Sequence, residues 1–176
     1  MAWTVPRTWT DGELVTKAIM DPHIRDNFLA VGPHLIARKT SDQALTSNTT
    51  LTDVTTMGLT VGVSEIWQVL FSVIYTAGTA GDLKLAMTFP AGGTNGVSAM
   101  WMNSGGTAGV RTFETSGGAT DLQGLGATIT ECVPIQGIYT NGGTGGTLQL
   151  QFAQNTSDGT ATTIRANSTV WAVKLA

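Results

Sequence analysis

A mainly β protein is predicted: an antiparallel β-sandwich or jelly-roll-like domain preceded by a short helical N-terminal arm. Three observations predict it. From Leu45 onward apolar residues recur with period two or in short unbroken runs, as strands do. Between those runs lie AGTAG, PAGGTNG, NSGGTAG, TSGGATD and TNGGTGGT, Gly-rich stretches in which the backbone turns at little steric cost. Ahead of residue 40 the composition changes: residues 7–30, RTWTDGELVTKAIMDPHIRDNFLA, are dense in charge and carry helical signals.

The arm comes first. Trp3, Pro6 and Trp9 form an aromatic-rich extended start, and two tryptophans this close together require a surface to lie on. Thr16 is placed to cap a short turn over Lys17–Met20. Asp21-Pro22 reads as an N-cap followed by proline at the first helical position. Gly32-Pro33 reads as a left-handed stop followed by a residue that cannot continue a helix. These signals predict a helix over about 22–31. Ile24, Phe28 and Val31 fall at i, i+4 and i+7 on one apolar stripe, with Arg25 and Asp26 facing elsewhere. So short a helix is marginal alone in water, so its stripe must pack on a partner. The expected division is an arm over 1–39 and a body over 40–176.

Strands are predicted in the body at LFSVIYT, DLKLAMTF, TITECVPIQGIYT, TLQLQFAQN, TTIRAN and STVWAVKL. In the last, Val170, Ala172 and Leu175 are broken by Trp171 and Lys174. GTAGD, residues 78–82, reads as a hairpin-type turn. No helical pattern separates the strands, which argues against a parallel α/β sheet.

Composition narrows the function classes. The chain of 176 residues is long enough for one domain with a core, and 41% hydrophobic content argues against disorder. Only 12% of residues are charged, about half the usual share, so the surface is kept wet by hydroxyls and amides and much of it is open to association. A net charge of -3 gives no electrostatic case for nucleic acid. No stretch approaches the ~20 apolar residues of a membrane span, and no secretory signal pattern opens the sequence, so synthesis in a cytoplasm without membrane insertion is expected. Asn48, Asn155 and Asn167 match glycosylation sequons and are read as Thr-rich turns. Cys132, the single cysteine, cannot form an internal disulfide and is read as a small buried hydrophobe.

Catalytic and cofactor readings find little support. None of the Gly runs is followed by Lys-Ser or Lys-Thr, so a phosphate loop fails. His23 and His34 lie eleven residues apart without further ligands at zinc spacing. A Cys132–His34–Asp nucleophilic set lacks any flanking motif. Glu13, Asp21 and Asp26 suit capping and surface roles. Trp101 is the one candidate for stacking on a sugar, against a more ordinary place in a core or interface. The expectation is no enzyme, no metal and no cofactor.

The preface TWTDGELVTKAIMDPHIRDNFLAV resembles an N-terminal segment of tailed-phage virion proteins with the pattern T-W-x-x-G-E-x-V-T-x-x-x-M/L-N-x-H-I-R-D-N. Trp9, Gly12, Glu13, Val15, Thr16, Met20, His23, Ile24, Arg25, Asp26 and Asn27 match. Asp21-Pro22 replaces the usual Asn before the His. SDQALTSNTTL, EIWQVLFSVIY, DLKLAMTFPAG and the stretch from Gly146 to Leu175 are similar to the β-domain that follows this segment. The resemblance implies a virion structural protein: capsid-decorating, fibre-like or minor tail. It also implies a homo-oligomer, most simply a trimer, located in the virion and bound to capsid or tail proteins. The docking residues would be Trp3, Trp9, Ile24, Arg25, Asn27, Phe28 and Val31. The alternative is a carbohydrate-binding module that recognises a host-surface glycan, with Trp101 as a contact.

Overall fold

The computed structural model describes residues 7–25, 34–102 and 108–176. The chain divides into two compact units, Met1–His34 and Leu35–Ala176.

In the first unit, the only α-helix among the described residues is α1, Lys17–Met20, which runs directly into a π turn over Asp21–Arg25. Thr16 precedes α1 in an extended conformation, and its carbonyl accepts from the Ile19 and Met20 amides. The short turn expected over Lys17–Met20 is thus α1, although the Thr16 side chain makes no capping bond, and the helical backbone runs on through Pro22 where a separate helix start was expected. Asp21 is not an N-cap: its φ and ψ of -57° and -57° are helical, and its amide donates to the Lys17 carbonyl. Proline explains the widened turn. Pro22 has no N–H to give to the residue four before it, so the α ladder is interrupted there. Residues 26–33, including the expected stop at Gly32-Pro33, lie outside the described residues.

The second unit is built from thirteen strands among the described residues. They are β1 (His34–Arg38), β2 (Gln43–Leu45), β3 (Thr52–Val61), β4 (Ile66–Ala77), β5 (Leu83–Thr88), β6 (Thr94–Asn95) and β7 (Ser98–Met102). After these come β8 (Ala108–Thr112), β9 (Ala119–Leu122), β10 (Gly126–Thr140), β11 (Gly146–Ala153), β12 (Thr162–Ile164) and β13 (Thr169–Lys174). One sheet runs β1-β13-β4-β10-β7-β8, with β12, β2 and β6 attached; the other runs β3-β11-β5-β9. The registers described for the pairs other than β1 with β13 are all antiparallel, and the main pairs are nested. β2 pairs β12, β3 pairs β11, β4 pairs β10, β5 pairs β9, and the innermost hairpin is β7 with β8. β11 also meets β5 while β13 meets β4, so the nested pairs are distributed over two antiparallel sheets.

The alternating side chains of both sheets close one core. Trp67, Val69, Phe71, Val73 and Tyr75 of β4 lie in the same cluster as Leu83, Leu85 and Met87 of β5 and Leu148, Leu150 and Phe152 of β11. This is the period-two pattern turned into burial. Val170 and Ala172 of β13 join the core, whereas Leu175 lies past the end of the strand and is exposed.

Two further expectations change. GTAGD is not a hairpin turn, because β4 and β5 belong to different sheets; residues 78–82 carry the chain across the sandwich. The body begins at Leu35, before the expected residue 40. β1 hydrogen-bonds β13, and Lys39 is fully buried with its ammonium on Gln43 Oε1 at 3.0 Å and Thr55 Oγ1 at 2.6 Å. Burial lowers the Lys39 pKa.

Candidate assembly surfaces

The described part of the arm is organised by ion pairs. Gly12 has φ +78° in the turn over residues 10–13, where the Glu13 amide donates to the Thr10 carbonyl. A residue with a Cβ would be strained there. The turn brings the Glu13 carboxylate onto the Arg7 guanidinium, and that guanidinium lies 5.4 Å from the centre of the Trp9 ring. Trp9, Gly12 and Glu13 of the recognised pattern are therefore one local device. A second ion-pair set centres on Asp21, whose Oδ2 meets Lys17 Nζ at 2.7 Å and a guanidinium nitrogen of Arg25 at 3.0 Å, one turn to either side. The hydrogen bond from Lys17, with help from Arg25, holds the Asp21 carboxyl below its ordinary pKa. Arg25 thus has a partner within the arm.

Several large apolar side chains in the described part of this unit are bare. Trp9, Leu14, Val15, Met20 and Ile24 are all exposed. Trp3, Asn27, Phe28 and Val31 lie outside the described residues, so of the predicted stripe only Ile24 is placed.

The catalytic candidates are not brought together. Cys132 is exposed, contrary to its reading as a buried hydrophobe. In β10 the inward positions are Val133, Ile135 and Tyr139, and alternation turns Cys132 to the other face. His34 opens β1, which stands three strands from β10 in the sheet order; its side chain lies outside the described part of the structure. His23 sits half-buried in the π turn. Among the described residues no three His, Cys, Asp or Glu side chains are placed to hold a metal ion. Trp101 is in β7, paired with Gly109 of β8; its side chain lies outside the described part of the structure.

Buried polar groups in the body serve loop closure. Asn141 donates to the Gly62 and Thr144 carbonyls and accepts from the Tyr139 hydroxyl at 2.7 Å. Asn95 donates to the Phe113 carbonyl and accepts from the Val97 amide. Gln154 ties Asn48, Asp158 and Thr160 together. Amide side chains satisfy both donor and acceptor groups without burying charge, which suits a chain so poor in charged residues. The three sequons sit in irregular segments between strands, as read: Asn48 accepts from the Thr50 amide, and Asn167 has φ +71°. Tyr75, buried and bonded to Glu131, has its pKa raised, first by desolvation and then by that carboxylate.

Two clefts open on the body. A polar one of about 270 Å³ is lined by Thr112, Glu114, Thr115, Thr120 and Asp121, with buried Phe113 behind. An apolar one of about 190 Å³ lies between β1 and β3 and is lined by Leu35, Ile36, Ala37, Leu59 and Val170.

No protein-family model matches this chain, and no curated protein matches it significantly. Among solved structures it is similar to that of the infectious bursal disease virus Gt strain, with 11% identity and a TM-score of 0.45 over 80% of this chain and 31% of the other. It is also similar to the tripod from the baseplate of bacteriophage Tuc2009, with 12% identity and a TM-score of 0.38 over 98% of this chain and 76% of the other. This chain thus spans about a third of the first of these. At such identities and scores, neither likeness carries the role of those proteins over to this one.

Proposed function

We propose that this chain is a non-enzymatic structural component of a bacteriophage virion, anchored by its N-terminal arm to the capsid or tail and displaying the β-body outward as a decoration, fibre or minor tail protein. The observation that carries this reading is the arm itself. It is a compact unit separate from the body, matches the virion-protein pattern at Trp9, Gly12, Glu13 and the H-I-R-D-N segment, and leaves five large apolar side chains exposed. A free helix this short gains little from its own hydrogen bonds, so bare Leu14, Val15, Met20 and Ile24 favour a partner that covers them. The Arg7–Glu13 and Asp21–Arg25 pairs hold that surface in shape. The test is incorporation. Removing residues 1–34 is expected to leave a folded, soluble body that no longer joins particles, and Ile24→Asp is expected to do the same by burying an unpaired charge in the contact. Particles that retain either variant at normal copy number defeat the docking arm.

A second reading, recognition of a host-surface glycan by the body, is favoured by the polar cleft. Its hydroxyls and carboxylates at Thr112, Thr115, Glu114 and Asp121 suit a neutral polyol, although its volume is just under the about 300 Å³ at which ligand pockets begin. It ranks second because no described aromatic face opens onto the cleft. A glycan array without a hit on the purified protein removes it.

A further inference from the structure

The two outer faces of the sandwich are unlike. On the four-stranded sheet, alternation turns Asp53, Thr60, Lys84, Asp121, Gln149 and Gln151 away from the core, a polar and charged surface that water satisfies. On β13, β4, β10, β7 and β8 of the nine-stranded sheet the described outward positions are apolar, hydroxylated or amide, and charge returns only at the edge, where Arg38 of β1 is exposed. Met100, Val110 and Ile138 are 51%, 61% and 41% exposed, while Leu70, Ile74 and Val173 are half-buried. The registers lay these residues side by side. Val110 is opposite Met100, Gln136 is opposite Leu70 and Ser98, Ile138 is opposite Gln68, and Cys132 is opposite Ile74. Across β13, β4, β10, β7 and β8, none of the described outward side chains is charged. A solvated face of this extent carries charge at about a quarter to a third of its positions.

Resting on the reading of the chain as a structural component of a virion, we infer that this uncharged face is where copies of the chain pack on one another. The occupant follows from charge. A partner presenting Lys, Arg, Asp or Glu here would have those charges desolvated with nothing to pair them, whereas the same face of a second copy brings none. Size agrees: five strands about 4.8 Å apart and nine residues rising about 3.3 Å each give roughly 20 Å by 30 Å, which with the pleat approaches the about 800 Å² that each partner contributes to a standard interface. The edge strand β8 and the exposed Met100 and Val110 then lie within a covered surface and not beside water.

Cys132 is a built-in reporter, because its exposed thiol stands on this face. The experiment measures the mass of the full-length protein by light scattering and the rate at which maleimide labels Cys132, for the wild type and for Ile138→Glu, Met100→Glu and, on the opposite face, Thr60→Glu. The wild type and Thr60→Glu are expected to be oligomers whose Cys132 reacts about tenfold slower than that of Ile138→Glu or Met100→Glu, as an occluded thiol does. Those two variants are expected to be monomers with an unchanged circular dichroism spectrum. A wild-type oligomer that labels as fast as the variants, with the variants still associated, overturns the assignment of this face but leaves self-association standing. A wild-type monomer overturns both. If the charge variants misfold, a dilution series of the wild type decides: labelling must speed up as the oligomer dissociates, and a rate independent of association overturns the inference.

Discussion

Glu65 illustrates how single residues close this sandwich. Its carboxylate accepts from Lys174 Nζ at 2.7 Å, from Trp67 Nε1 at 3.0 Å and from the Gly62 amide. The hydrogen bond from Lys174 is the largest cause of its lowered pKa. A carboxyl depressed on folding stabilises above its unfolded value, here 4.5, and that stabilisation is lost as pH falls through the depressed folded value. Being partly open to solvent, the group contributes about 1 kcal/mol, the scale of a surface ion pair. Denaturant midpoints for the wild type and Glu65→Gln should therefore differ above pH 4.5 and converge in acid; a constant gap across that range refutes the assignment. None of these partners was legible in the sequence, where Glu65 and Lys174 are 109 positions apart. Gly12 and Glu13 were legible as motif residues, but their joint action on Arg7 and Trp9 needed the turn.

At the scale of elements, β10 carries the strictest demand. Gly137 lies where β10 passes the segment leading into β7. A Cβ there would overlap the Gly96 carbonyl oxygen and stand 2.8 Å from Val97 Cα, both backbone atoms that cannot rotate away. Gly137→Ala is expected to cost about 1–3 kcal/mol in urea unfolding, the range for forced overpacking. A change within about 0.5 kcal/mol would show that the crossing is looser than drawn. The helix in the arm teaches a different lesson. Asp21-Pro22 is a sound start signal by local chemistry, yet the structure runs a helix through it, because a π turn tolerates the missing amide and Asp21 gains Lys17 and Arg25.

For the whole molecule, the relevant boundary is the one drawn by packing. Composition places it near residue 40, whereas β1 and the buried Lys39 bind residues 35–39 to the body. Two deletions separate these views. Removal of residues 1–34 should leave the melting temperature of the body within a few degrees of the full chain. Removal of 1–40 should lower it by a further several degrees, since it strips an edge strand and leaves Thr55 and the Leu59–Val170 groove uncovered. Equal melting temperatures for the two truncations would return the boundary to residue 40. The nested pairing also makes most contacts distant in sequence, so refolding of the body should be slow for its size.

Strand content, alternation and the Gly-rich breaks were determined by the sequence alone, because a period of two and the cheap positive φ of glycine are properties of a few consecutive residues. The same holds for the mainly β class. Only the tertiary structure decided that β4 and β5 lie in different sheets, that Cys132 faces outward, that Lys39 is buried, and that the described outward side chains of β13, β4, β10, β7 and β8 form one uncharged patch. Each of these depends on which strand lies beside which. That choice is made by a core assembled from β3, β4, β5, β10, β11 and β13 together, and no window of sequence contains it.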